Sequence, residues 1–352
     1  MALEKPQVKF PFEICDVDPA INAELLEYFK GERAGFVQVG PERYFFPHKY
    51  KAEAERYYNF EARSDDIWIV TVPRSGTTWT QELVWLLAND LNFEQANQRL
   101  LSERFPFLEF PLFVHDEVKA ELLAENKDSA DSLQFIELIS RPGYETLTEI
   151  PSNQRRFIKT HFPFSLLPPS VLENKCKIIY VTRNPKDVAV SYYYLNRLFR
   201  TQGYTGDFER YFRYFQQGLN PWLPYYSHVK EAHQHSQLSN VLFLHYEDMI
   251  LDLATTITKI GNFLDCPPSA AGMDKLLNHL SFQNFRQNSS VNMHEMANVG
   301  ILNTGEAGFV RSGGKNTKTN HDQKEFADNP TLLQTANEWI KENMDICKTN
   351  LI

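Results

Sequence analysis

The sequence predicts an α/β fold, a P-loop-like parallel sheet flanked by helices, in a single domain with an inserted lid. Two observations predict the sheet. Short apolar runs rich in β-branched and aromatic residues recur along the middle of the chain, most of them followed by a helix-spaced stretch. These runs lack strict polar/apolar alternation, as strands buried on both faces do. A third observation predicts one domain over 1–352: no repeat, low-complexity linker or composition break divides the chain.

In chain order, 1–60 reads as a peripheral N-terminal segment, with helices over AINAELLEYFK (20–30) and HKYKAEAERYYNF (48–60) around an extended piece, GFVQVGPERYFF. DIWIVTVP (66–73) is the first core strand, PRSG a turn, and TTWTQELVWLLAND (77–90) a helix with Trp79 and Leu83 one turn apart. RRFIKTH (155–161) is a second strand. KCKIIYVTRNP (175–185) holds a third, and its helix starts at Asn184, a good N-cap, with Pro185 as first helical residue. NVLFLHYED (240–248) holds a fourth. It is followed by LATTITKIGNFL (253–264), with Leu253, Ile257, Ile260 and Leu264 at helical spacing. Residues 91–150 contain RFPFLEFPLF and exceed a minimal crossover, so they read as an inserted lid or pocket wall. A last helix covers 330–344.

The bulk numbers restrict function. A net charge of −9 argues against a protein that coats nucleic acid, while leaving room for a local anion site built from clustered cations. The 26 Phe and 16 Tyr residues fill a core first, or line a pocket for a flat apolar ligand. Cys15, Cys176, Cys266 and Cys347 are scattered without a CxxC pair, which favours a reducing, cytoplasmic setting. The first residues lack an apolar stretch of signal-peptide length, and no run approaches the roughly 20 apolar residues of a membrane span. The Asn288-Ser-Ser sequon is read as chance in such a chain.

The four core strands end in polar groups, most of them suited to an anion: Arg74 and Ser75; Lys159 and His161; Thr182 and Arg183; His245 and Tyr246. Ligands of open parallel sheets bind beyond these carboxyl ends. In the first loop, Gly76 permits a tight turn, and the unbonded N–H groups opening the next helix accept an anion together with the helix dipole. Thr77 and Thr78 add hydroxyls and Arg74 a permanent charge. GxxxxGK[ST] is absent, and Arg183 stands where a nucleoside triphosphatase would place a magnesium-holding Asp. Cations in place of a metal carboxylate suit a transferring group less charged than a phosphoryl, with no metal site. His161 is the candidate base, because an attacking alcohol must lose a proton near pH 7. His228, His233 and His235 fit no motif, and the last two read as a solvated helix face.

Four segments, VPRSGTTWTQELVWLLAND, FIKTHFPFSLLPPS, YVTRNPKDVAVSYYY and VLFLHYEDM, resemble in order and spacing the cytosolic sulfotransferase family, over about residues 60–310. ELISRPG and the Phe-rich insertion are similar to the insect branch that contains retinol dehydratase. The resemblance implies transfer of a sulfuryl group from 3′-phosphoadenosine 5′-phosphosulfate (PAPS, leaving PAP) to a hydroxyl of a small lipophilic acceptor such as a phenol, steroid or retinoid. It implies that Ser75, Gly76, Thr77 and Thr78 hold the phosphosulfate and that Trp79 stacks on adenine, with Ser281 and Phe282 lining that pocket and Tyr246 nearby. It assigns Arg183 and Ser191 to the 3′-phosphate, His161 to general base and Lys159 to orienting the transferring group.

Two departures from the family pattern stand out. Arg74 replaces the usual lysine, and reads as an electrostatic clamp that keeps its proton. In the tail, Arg311 and Gly313 match the family's 3′-phosphate lid, but Ser312 replaces Lys and the later Gly and Trp are missing, with Lys315 or Lys318 as substitute charges. The family's dimer motif is half present: Lys315 and Thr319 fit, Asn320 and Lys324 do not, so a homodimer stays open. Three alternatives to stable sulfation remain: elimination through an allylic sulfate ester, a non-catalytic binder of nucleotide or lipophile, and a P-loop kinase. The last is disfavoured by the missing Walker residues.

Overall fold

Four parallel strands carry the architecture of the computed structural model, which describes residues 8–306, 308–310 and 320–347. Ahead of them come β1 (Ile14–Asp16), α1 (Pro19–Tyr28), β2 (Phe36–Val39), β3 (Tyr44–Pro47) and α2 (Tyr50–Tyr58). The parallel strands are β4 (Ile67–Thr71), β5 (Phe157–Thr160), β6 (Lys177–Thr182) and β7 (Val241–His245), in the spatial order β5-β4-β6-β7. Register pairs Val70 with Thr160, Thr71 with Val181 and Thr182 with His245, so the carboxyl ends lie side by side.

Period-2 geometry sorts the strand residues into two layers. Ile67, Ile69, Ile179 and Val181 pack with Leu83, Val84 and Leu86 of α3 (Thr77–Ala88) and with Ile257 and Ile260 further along the chain. Trp68, Val70, Ile178 and Tyr180 pack on the other face. Both faces are covered, which is why the strands read as unbroken apolar runs.

The segment 91–150 folds as short helices: α4 (Phe93–Gln98), α5 (Leu101–Arg104), a 3₁₀ turn (Phe110–Phe113), α6 (Asp116–Glu125), α7 (Ala130–Ser140) and α8 (Gly143–Glu149). It is pinned to the sheet edge, where Lys159 N–H donates to the Pro106 carbonyl (2.9 Å) and Leu108 N–H to the Lys159 carbonyl (2.9 Å). The edge strand β5 is thereby covered. Ion pairs from Arg33 and Arg200 to Glu121, at 2.6 and 2.7 Å, tie α6 to the body.

After β5 follow α9 (Pro169–Glu173), then β6, α10 (Pro185–Leu198), α11 (Phe208–Gln216) and α12 (Tyr225–His235). As the sequence predicts, the Asn184 side chain caps α10, accepting from Lys186 N–H at 3.0 Å. Beyond β7 lie α13 (Tyr246–Leu251), α14 (Leu253–Phe263), α15 (Ala270–His279), α16 (Phe282–Gln287), α17 (His294–Asn298), α18 (Asn320–Ala327) and α19 (Pro330–Cys347). No helix among the described residues is long and apolar enough to cross a membrane.

The N-terminal segment differs from its sequence reading. The extended piece is a β2–β3 antiparallel hairpin with β1 on its edge, and Val37, Val39, Tyr44, Phe45 and Phe46 are buried in the same core as Trp68 and Tyr180. Phe45 exchanges backbone hydrogen bonds with 222–223, donating to the Leu223 carbonyl at 2.9 Å and accepting from Trp222 N–H at 3.0 Å.

Candidate functional site

The loop between β4 and α3 takes a shape few residues permit. Arg74 has φ 71° and Gly76 φ 94°. A Cβ on residue 76 would stand 2.6 Å from the Tyr246 ring, so both the dihedral and the neighbour call for glycine. No side chain caps α3, and Thr80 N–H bonds back to the Gly76 carbonyl at 3.0 Å. The N–H groups ahead of Thr80 thus face the loop mouth without an intrahelical partner. Ser75 Oγ is fully buried and has no hydrogen-bond partner among the described residues. Orphaned donors of this kind fit an anionic group such as the phosphosulfate end of PAPS.

Beside this loop the end of β5 presents His161, buried. Its Nδ1 stands 2.7 Å from the Thr71 carbonyl oxygen and 3.1 Å from Thr71 Oγ1. A carbonyl only accepts, so Nδ1 carries the proton and Nε2 keeps the lone pair. Burial, and then the nearby Lys159 charge, hold the imidazole well below its usual pKa, so it is neutral at pH 7. Thr71 Oγ1 also meets Thr77 Oγ1 at 2.7 Å, linking base and helix start.

Lys159 is buried, with its ammonium 4.1 Å from the Phe107 ring centroid. Burial brings its pKa down to about 8. Behind it lies Glu109, whose carboxylate accepts from His161 N–H (2.6 Å), Thr160 Oγ1 (2.8 Å) and Trp222 Nε1 (3.1 Å). Full burial pushes Glu109 up to about 8, against the His161 N–H, the Thr160 hydroxyl and Lys159, which pull it down. His228 completes the support: Tyr180 Oη lies 2.9 Å from its Nδ1, and its Nε2–H donates to the His161 carbonyl at 3.0 Å. Burial lowers the His228 pKa to about 4, consistent with a neutral ring.

A cavity of about 410 Å³ opens over the strand ends, lined by Arg74, Gly76, Thr77, Thr78, Trp79, Lys159, His161, Arg183, Ser191, Tyr246, Ser281 and Phe282. Arg74 Nε donates to Ser191 Oγ at 2.9 Å, and Arg183 Nη1 to the Arg74 carbonyl at 3.2 Å. The Arg183 guanidinium lies 4.6 Å from the Tyr246 ring centroid, and Trp79 Nε1 donates to the Leu280 carbonyl at 2.9 Å. Arg74 therefore reaches toward α10, and its Nη2 also donates to the Phe309 carbonyl, beyond α17, at 3.3 Å.

A second cavity, of about 330 Å³, has a mostly apolar wall that includes Phe105, Phe107, Phe110, Phe113, Phe135 and Trp222. Pro73, Thr78, Lys159, His161, Leu195 and Phe309 line both cavities, so the imidazole stands where the two meet.

The structure thus brings together Arg74, Lys159, His161, Arg183 and Tyr246 from the four strand ends, with Ser75 beneath the lining and Thr182 and His245 in neither cavity. Arg311 and Gly313, with Ser312, Lys315 and Lys318, lie outside the described residues. Sequence reading missed Thr71, Glu109, Trp222 and His228. Only Glu109 left a trace, as the one acid in RFPFLEFPLF.

Comparison with known proteins gives the family. A family model described as Sulfotransferase domain matches residues 64–348. Luciferin sulfotransferase of Photinus pyralis is 33% identical over 336 residues, covering 94% of this chain and 84% of that protein. Sulfotransferase 1E1 of Homo sapiens is 34% identical over 262 residues, covering 74% and 80%. A crystal structure of retinol dehydratase in a complex with retinol and PAP superposes with a TM-score of 0.87 at 35% identity, covering 96% of this chain and 98% of that one. The same enzyme with androsterone and PAP gives 0.86, also at 35%.

Proposed function

Because this chain belongs to the sulfotransferase family and takes its sulfuryl group from PAPS, we propose that it delivers that group to a hydroxyl of a lipophilic acceptor held in the aromatic cavity, with His161 as proton acceptor. The observation that carries this reading is the place of His161. It lines both cavities, with Nδ1–H committed to Thr71 and the Nε2 lone pair left for a substrate proton. Bound PAPS supplies an electrophilic sulfur on a phosphate leaving group.

The chain's residues do the rest. His161 Nε2 removes the hydroxyl proton as the new oxygen–sulfur bond forms and the bond to the leaving phosphate breaks. Ser75, Gly76, Thr77 and Thr78 present donors to the phosphosulfate. Arg74 clamps the charge that grows on the leaving oxygen, and Lys159 orients the transferring group. Arg183 and Ser191, with Arg311 and Gly313, take the 3′-phosphate. Trp79, Tyr246, Ser281 and Phe282 surround adenine. Low basicity keeps His161 unprotonated before reaction, and bound anionic donor raises its basicity when it must take the proton. Residues 91–150 act as the lid, since their Phe side chains wall the acceptor cavity and exclude water.

The solved relatives hold androsterone or retinol, which motivates steroid- and retinoid-like acceptors here. The likeness to retinol dehydratase supports a second reading, in which an allylic sulfate ester eliminates to a polyene. Labelled-sulfate transfer across phenols, steroids, catecholamines and retinoids, with product analysis, tests both. Labelled esters that require His161 support transfer, and anhydro-product from retinol supports elimination. No label on any acceptor, or transfer unchanged in His161→Ala, overturns the reading in favour of a binder. The unpaired thiols Cys15, Cys176 and Cys266 support a cytoplasmic enzyme, to be checked by fractionation. A homodimer is the other open expectation, to be checked by sedimentation.

A further inference from the structure

The wall of the acceptor cavity is mostly apolar but not throughout. Glu295, on α17, lines this cavity and takes no part in the nucleotide cavity. Its Oε2 is shut off from solvent and has no hydrogen-bond partner among the described residues. Its Oε1 has a long contact, 3.5 Å from Ser102 Oγ, and the carboxyl also feels its own backbone N–H. Met293 and Met296 flank it in the same wall.

A buried carboxylate oxygen without a donor costs stability, and proteins leave few such atoms unexplained. A donor carried by the ligand resolves the cost. We infer that Glu295 recognises a second hydrogen-bond donor, a hydroxyl or an amine, on the acceptor at a distance from the hydroxyl that reacts at His161. This rests on the aromatic cavity being the acceptor site. The unbranched thioethers of Met293 and Met296 adapt to different carbon skeletons, so the two polar ends fix the acceptor and its middle is tolerated. Burial pushes the Glu295 carboxyl above its usual pKa, as expected for an oxygen that lacks its partner until substrate arrives.

The probes are straight-chain diols, amino alcohols with the amine at the far end, and methyl-ended alcohols of matched length, each assayed with PAPS over a range of lengths. The expected result is one length at which a doubly functional alcohol exceeds its methyl-ended match in kcat/KM by roughly tenfold or more. A hydroxyl-ended or amine-ended winner tells which donor is read. Glu295→Leu brings the ratio to parity. Glu295→Gln, which keeps an acceptor oxygen and drops the charge, retains a diol preference and loses an amine preference. A PAP-induced rise in melting temperature certifies that each variant is folded. Parity at every length in the unaltered enzyme, or a preference that survives Glu295→Leu, overturns the inference. The broad acceptor panel run alongside separates the failures. If the panel is sulfated while the diols show parity, only the role of Glu295 falls. If nothing is sulfated, the acceptor reading falls and the role of Glu295 with it.

Discussion

His161 donates Nδ1–H to a carbonyl that cannot donate in return, and this fixes which nitrogen can receive a proton. Replacing it with alanine is expected to lower kcat by roughly 10²–10⁴-fold, while PAP affinity, measured by calorimetry, changes far less. The pH profile of kcat/KM carries two groups. The His161 pKa is lowered by burial, so the base is lost only as pH falls well below 6.5. Lys159, lowered to about 8, is expected to give a basic limb near that pH as its proton leaves. Lys159→Arg keeps the charge at every accessible pH. The variant should lose the basic limb whatever its absolute rate, and a limb that persists near pH 8 would assign it to another group. Glu109 shows why part of the site was illegible. Its partners Thr160, His161 and Trp222 lie 51, 52 and 113 residues away in sequence, so only the folded chain reveals why an acid sits among phenylalanines.

Among the elements, the parallel strands and their helices were legible because each is a local pattern: an apolar run, a polar end, a cap and helical spacing. The N-terminal hairpin was not. Its strands of four residues are buried on both faces and show no alternation, and β1 is a three-residue strand whose paired residues are 21 or more positions away. The β4–α3 unit was legible, with its helix starting at Thr77 as the sequence predicts, and it offers a sharp test. Gly76→Ala forces a left-handed φ of 94° on a residue with a Cβ, and sets that Cβ 2.6 Å from Tyr246. Nucleotide affinity should fall by about tenfold or more, since roughly 1–2 kcal/mol of strain distorts the donors at the start of the helix. Tyr246→Phe leaves the offending ring edge in place and should give no relief. Titration of PAP into the single and double variants checks this. Equal affinity in Gly76→Ala would mean the loop does not grip the anion.

For the whole molecule, the net charge of −9 and the cation-lined cavity are reconciled by placement. Arg74, Lys159 and Arg183 belong to three different strand ends and converge because the sheet order puts β4 between β5 and β6. In the absence of an anion these charges repel, and Arg74 already contributes to lowering the Lys159 pKa. A doubly phosphorylated nucleotide seated as proposed would relieve that repulsion and bridge the strand ends to α10, α13 and α16, whose residues line the same cavity. Binding should therefore stabilise the entire fold and not one loop. At 100 times its Kd, PAP is expected to add roughly 3 kcal/mol to unfolding, read as a single shifted melting transition. Arg183→Ala should remove most of that shift, measured against the variant's own melting temperature without nucleotide, because the contacts Arg183 makes with the Arg74 carbonyl, the Tyr246 ring and Asp187 are lost in both states. A shift of unaltered size in this variant would instead make Arg183 a bystander to the anion. That would leave Arg74 and Lys159 to hold the donor's charge by themselves.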